Sequence, residues 1–204
     1  RAGGTTYLGI PHLRAGCGSG PHDVFLRLRC DGDSWQMSWE STQDPLARLG
    51  HSEIVFESDE NDSIRIEGDS WVRPDEKSQT FREANSGPHR YFSQLWARDG
   101  GAYALAEEEV ESSAYNTLVE FVYRMQVGDT LGARTYAIDD SVIGQAIQLP
   151  LASMSDRPWI LQCAEGWPAP TAPCYTGALD GGKSRLLLAP VGDVWLVSDI
   201  QQSP

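Results

Sequence analysis

The hydrophobic pattern of this 204-residue chain changes period near residue 112, and that switch constrains the fold more than any other feature. Before it, apolar residues alternate with polar ones in short runs, as half-buried strands require. Val24-Phe25-Leu26-Arg27-Leu28-Arg29, the turn signal Asp31-Gly32, and then Trp35, Met37 and Trp39 predict a β-hairpin. Residues 53–57 and 63–67 predict two more strands around the polar turn Ser58-Asp59-Glu60-Asn61-Asp62. Residues 91–96 and 102–105 predict another pair, joined through Asp99-Gly100-Gly101. Residues 1–16 and 74–90 lack periodicity and are expected as loops.

After the switch, Leu118, Phe121, Val122 and Met125 fall at i, i+3, i+4 and i+7, the apolar stripe of a helix. Ser112 or Ser113 can cap its start and Gly128 ends it. Asp129 can cap a second helix reaching Tyr136. Asp139 or Asp140 can cap a third, with Val142, Ile143, Ala146 and Ile147 inward and Pro150 as its stop. Strands are expected again over 159–164, 175–179, 185–189 and 194–200. The fold class is therefore α+β. Residues 1–110 form an antiparallel β-rich domain and residues 111–204 an α+β domain, with the boundary in the acidic run Glu107-Glu108-Glu109-Val110-Glu111.

Charge follows the same division. The chain carries a net −13, and residues 51–114 hold fifteen acids against six bases. Such a surface repels phosphate backbones and anionic lipid headgroups, which argues against nucleic-acid and peripheral membrane partners. Solubility alone accounts for the excess; the sharper reading is a face for a basic partner or for cations. The sequence has no apolar run of membrane-spanning length. Arg1-Ala2-Gly3-Gly4-Thr5-Thr6 is no signal peptide and reads as a trimmed end, so an export signal or lipid anchor is expected upstream.

The four cysteines fall as two local pairs, Cys17 with Cys30 and Cys163 with Cys174. Neither pair has zinc-knuckle spacing. Of the three possible connectivities the local one is favoured, because Pro168, Pro170 and Pro173 make the chain between Cys163 and Cys174 rich in turns. Disulfides would place the protein in an oxidising, extracytoplasmic compartment; four free thiols would place it in the cytosol.

Leu118-Val119-Glu120-Phe121-Val122, Gly128-Asp129-Thr130, Ala133-Arg134-Thr135-Tyr136 and the closing run 192–200 together resemble the NTF2-like (SnoaL-like) α+β family. The resemblance covers residues 113–200 and implies a curved antiparallel sheet wrapped round helices, with a cone-shaped cavity. Here all three predicted helices precede the strands, whereas the family interleaves them. Gly16-Cys17-Gly18-Ser19-Gly20, a strand, Asp31-Gly32 and Trp35 resemble β-hairpin units of exported bacterial proteins.

Motifs for chemistry are scarce. There is no G-x-S-x-G elbow and no phosphate-binding loop. His12, His22, His51 and His89 all lie in the first half, without metal-ligand spacing. Asp59, Asn61 and Asp62 offer hard oxygen ligands for Ca²⁺ on a turn that equally suits plain solvation, and Asn61-Asp62-Ser63 is formally a glycosylation sequon. Asp139 and Asp140 could serve as acid or base in a pocket, but capping explains them more simply. Tyr115, Phe121, Tyr123 and Tyr136 could line a cavity or fill a core. These observations name no catalytic residue. They favour a non-catalytic extracytoplasmic protein that binds other protein subunits, as an accessory part of a cell-envelope assembly. The alternative is a small-molecule-binding protein or enzyme using a cone pocket in the second half.

Overall fold

The computed structural model describes residues 5–12, 22–31, 34–56, 63–70, 77, 88–149, 160–163, 174–177 and 184–202. The chain divides into two compact units, parting between Glu111 and Ser112; Lys77 belongs to the second. Both are built on antiparallel sheets, and the second adds helices, so the chain is α+β.

Among the described residues the first unit holds seven strands. β1 (Thr5–His12), β2 (His22–Asp31) and β3 (Ser34–Glu40) form one sheet. β4 (Gly50–Phe56), β5 (Ile64–Asp69), β6 (Tyr91–Asp99) and β7 (Ala102–Val110) form another in sequential order. Two 3₁₀ turns, Ser41–Gln43 and Pro45–Ala47, join the sheets, the second capped by the Asp44 carboxylate, which accepts from Leu46 N–H. β1 departs from the expected loop. Its Leu8 and Ile10 face Leu26 and Val24 across the ladder, so pairing with β2 orders a Gly-containing segment that local propensity leaves undecided. β7 departs too: it runs five residues further than the alternation of 102–105 indicates and takes in most of the acidic run.

The core of this unit is aromatic. Phe25 of β2 meets Tyr103 of β7 edge-to-face at 5.4 Å, and Trp39 of β3 lies 5.8 Å from Trp96 of β6 and 5.1 Å from Tyr103. Leu49, Ile64, Ile66 and Phe92 complete it. Aromatic pairs at such distances add ~1 kcal/mol each beyond the area they bury. Two polar groups enter this core already satisfied. Trp96 Nε1 donates to Gln94 Oε1 at 3.1 Å, and Gln94 Nε2 donates to Leu46 O and Glu108 Oε2.

The second unit begins with α1 (Ala114–Gln126), capped by Ser113, whose hydroxyl accepts from Asn116 N–H at 3.0 Å. Gly128, at φ 79°, closes it in the left-handed conformation that glycine adopts without strain. α2 (Thr130–Ala133) and a 3₁₀ turn (Arg134–Tyr136) lead to α3 (Asp140–Ile147). β8 (Ile160–Cys163), β9 (Cys174–Gly177), β10 (Ser184–Val191) and β11 (Val194–Gln202) form the sheet in the order β11-β10-β9-β8. Leu118, Phe121 and Val122 of α1 and Val142, Ile143 and Ala146 of α3 pack with Leu186, Leu188, Val197 and Ile200 of the sheet. Gln145 fastens α3 to β11: its Oε1 accepts from Ile200 N–H and its Nε2 donates to Asp199.

Candidate functional site

The acidic residues acquire a pattern once strand register is known. Side chains alternate across a sheet, so Ile64, Ile66, Phe92, Gln94 and Trp96 of the β4–β7 sheet point into the core and their neighbours point outward. Register then stacks the outward residues in rows. Glu53 faces Glu67, Glu67 faces Ser93, and Ser93 faces Glu109. In the next row Val55 faces Arg65, Arg65 faces Leu95, and Leu95 faces Glu107. Beyond the first row Asp69 faces Tyr91, whose carbonyl accepts from Glu111 N–H at 2.8 Å. One sheet face thus gathers Glu53, Glu67, Asp69, Glu107, Glu109 and Glu111 around Tyr91, with Val55 and Leu95 as its apolar members.

Two observations set this face apart from ordinary solvation. Glu53 and Glu67 are like charges directly opposite each other on neighbouring strands, a destabilising pairing. The phenol of Tyr91 is pushed above its usual range, by burial first and then by the fields of Glu67, Asp69, Glu111 and Glu53. Tyr91 is still 41% exposed, an aromatic ring presented to solvent amid carboxylates. Compensation on the face is local: Arg65 Nη1 donates to Ser93 Oγ at 3.0 Å, and that hydroxyl donates to Glu67 Oε1 at 3.4 Å.

At the end of this face the ladder is irregular. Register passes from Gly50 opposite Asp69 to Glu53 opposite Glu67, so His51 and Ser52 bulge opposite Gly68. His51 lies at φ 42°. A Cβ on Gly68 would come within 2.8 Å of Gly50 O and 2.9 Å of Ser52 Cα, so only glycine permits this approach. The bulge aims His51 Nδ1 at Asp69 Oδ2, 2.5 Å away, and brings the His51 ring 6.4 Å from that of His89. Two of the four histidines therefore converge from loops and strand ends. Among the described residues, no group of three or more His, Cys, Asp or Glu is arranged to hold a metal ion.

A second charged cluster lies on α1. Glu120 is buried, its Oε1 accepting from the Lys77 ammonium and its Oε2 3.4 Å from Arg124 Nε. Arg124 Nη1 also donates to Asp129 Oδ2 at 2.8 Å. Lys77 stands over the Tyr123 ring and Arg124 over the Tyr136 ring, each 5.6 Å from the centroid. Burial, then Glu120, raises the Tyr136 phenol against the opposing pull of Arg124. Asp129 is held below the usual carboxylate range by Gly132 N–H and by Arg124.

The remaining candidates are placed as follows. Asp139 caps α3, accepting from Ser141 and Val142, and these bonds depress its pKa. Asp140 pairs with Arg134 at 3.2 Å. Tyr115 and Phe121 fill the core, while Tyr123 and Tyr136 border the charged cluster. Cys163 of β8 is directly opposite Cys174 of β9, and His12 of β1 is opposite His22 of β2. Cys30 is in β2. Cys17, Asp59, Asn61 and Asp62 lie outside the described residues. Among the described residues no helix is long and apolar enough to cross a membrane.

Glu53, Glu67, Asp69, Tyr91 and Glu120 were not singled out from the sequence. Equal parity of Arg65, Glu67 and Asp69, and of Glu107, Glu109 and Glu111, was visible there; the rows they form depend on register between strands. Comparison with protein-family models, curated proteins and solved structures returns no match for this chain.

Proposed function

We propose that this protein is a non-catalytic, extracytoplasmic binding protein whose acidic sheet face engages a basic partner protein, as an accessory subunit of a cell-envelope assembly. The observation that carries the proposal is the row Glu53, Glu67, Ser93, Glu109 with Tyr91 beside it. Directly opposed carboxylates weaken the isolated fold, and a cationic partner would relieve that repulsion on binding. Tyr91 supplies what acidic residues lack, a large rigid contact surface, and tyrosine is enriched in interfaces for that reason. The register that sets Cys163 directly opposite Cys174, at a strand spacing a disulfide can bridge, supports the extracytoplasmic location. For the second unit we propose the cone arrangement of NTF2-like proteins. The bulge at Ser198 of β11, opposite the Leu187–Leu188 step of β10, supports it, because bulges bend a strand and so curve a sheet.

The test uses an extended lysine-rich peptide and its glutamine counterpart. The full chain should bind the lysine peptide with a strong dependence on salt, and Glu53→Gln/Glu67→Gln/Glu109→Gln should weaken it about tenfold or more. Asp99→Asn/Asp140→Asn/Asp193→Asn, which removes equal charge elsewhere, should leave binding nearly intact. Equal loss in both variants would mean that net charge alone attracts the peptide, and the assignment of this face would fail.

A further inference from the structure

We propose that β7 is a strand-addition site: its outer edge takes up an extended, basic segment of the partner protein as one more strand of the sheet. The inference rests on the acidic-face reading above and adds to it the conformation in which the partner binds.

β7 is the last strand of the order β4-β5-β6-β7, and among the described residues its ladder partner is β6 alone. The strand at the opposite edge, β4, packs against β2. Hydrogen bonds on the two sides of β6 fix which backbone groups of β7 turn outward. Glu111 N–H donates to Tyr91 O at 2.8 Å, and Ser70 N–H donates to Arg90 O at 2.9 Å. Partners in an antiparallel ladder alternate, so Tyr91 and Ser93 bond toward β7 while Arg90 and Phe92 bond toward β5. Opposite them, Glu109 and Glu111 direct their backbone groups at β6. Val110, between the two, turns its N–H and C=O to the outer edge, and the same alternation turns those of Glu108 outward. Residues 106–111 are all exposed, so this end of β7 meets water on both sheet faces. Val110 is 37% exposed although it sits opposite the buried Phe92.

An outer strand of this kind is a template for an extended chain, whose main-chain hydrogen bonds supply affinity. The charges of β7 decide which chain. A second copy of β7 would set glutamates against glutamates on paired strands, a destabilising arrangement. A cationic segment reverses the sign. Its alternate side chains would stand beside Glu107, Glu109 and Glu111, on the face that carries Tyr91. The side chains between them would fall beside Val110, where an apolar residue fits. The occupant is therefore a stretch of about five residues, ~17 Å long, in which Lys or Arg alternates with apolar residues.

Peptides of alternating lysine and valine test this on the wild-type full chain, because strand addition needs one edge of the peptide backbone and plain charge attraction needs neither. One peptide is unmodified, one is N-methylated at its lysines and one at its valines; all three carry the same charge. The unmodified peptide should bind and should slow hydrogen exchange at the Val110 amide, with little change at Glu109, whose N–H already bonds to β6. One methylated peptide should bind about tenfold or more weakly and the other nearly as well as the parent. Loss at the valines would mean antiparallel addition and loss at the lysines parallel addition. Equal binding by the two methylated peptides, or no protection at Val110, would overturn strand addition while the acidic-face reading stands. Failure of the unmodified peptide to bind would overturn both.

Discussion

Replacing Glu53 by glutamine should make the first unit more stable. Glu53 is exposed and sits directly opposite Glu67 on the neighbouring strand. With carboxylates ~6 Å apart, Coulomb repulsion in water's dielectric is about 0.7 kcal/mol. Cross-strand pairs span about 0.2–1 kcal/mol, so the two estimates agree. Glutamine keeps the length and β-sheet position of glutamate and removes only the charge. Urea unfolding at low ionic strength, followed by the near-UV signal of the Phe25–Trp39–Trp96–Tyr103 cluster, should show a gain of about 0.5 kcal/mol. At 1 M salt the Debye length falls to about 3 Å, and the gain should shrink to ~0.1 kcal/mol. A double cycle with Glu67→Gln isolates the pair, because Glu67 also accepts from Ser93 and its own substitution carries that loss. Destabilisation by Glu53→Gln, or a gain unchanged by salt, would refute the claim that charges collide across this ladder.

Three other outcomes follow from the same geometry. Gly68→Ala should destabilise the first unit by about 1–3 kcal/mol, since the added methyl would meet the Gly50 carbonyl and the backbone at Ser52; a neutral result in chemical denaturation would show that the His51 bulge relaxes freely. Tyr91 should ionise above its ordinary value, so its contribution to stability is present below pH ~10 and is lost as pH rises through the folded pKa; phenolate absorbance of the wild type minus Tyr91→Phe tests this, and a midpoint at or below the ordinary value contradicts it. Cys163 and Cys174 should form a disulfide, because directly opposed antiparallel residues have Cα atoms about 4.5–5.5 Å apart, within bridging range; non-reducing intact-mass and peptide mapping that finds free thiols there would remove the argument for an oxidising compartment.

Much of the local architecture follows from the sequence alone. The period change near residue 112 separates a strand-forming half from a segment that begins with helices, because the side-chain repeat of each element is fixed by its backbone. Ser113, Gly128, Asp129 and Asp139 mark helix boundaries by capping, a matter of a few neighbouring atoms. The strand at 5–12 was hidden, because its order depends on the β2 ladder rather than on its own residues. The acidic run at 107–111 read as a boundary, yet most of it continues β7, held by Tyr91, Ser93, Gln94 and Leu95 across the sheet. What tertiary structure alone decided was which charges meet. Glu53 and Glu67 are fourteen positions apart, Glu67 and Tyr91 twenty-four, and Lys77 and Glu120 forty-three, and no local rule brings such residues together. Register and docking set those distances, and electrostatic interaction depends on distance in space, which sequence separation does not measure.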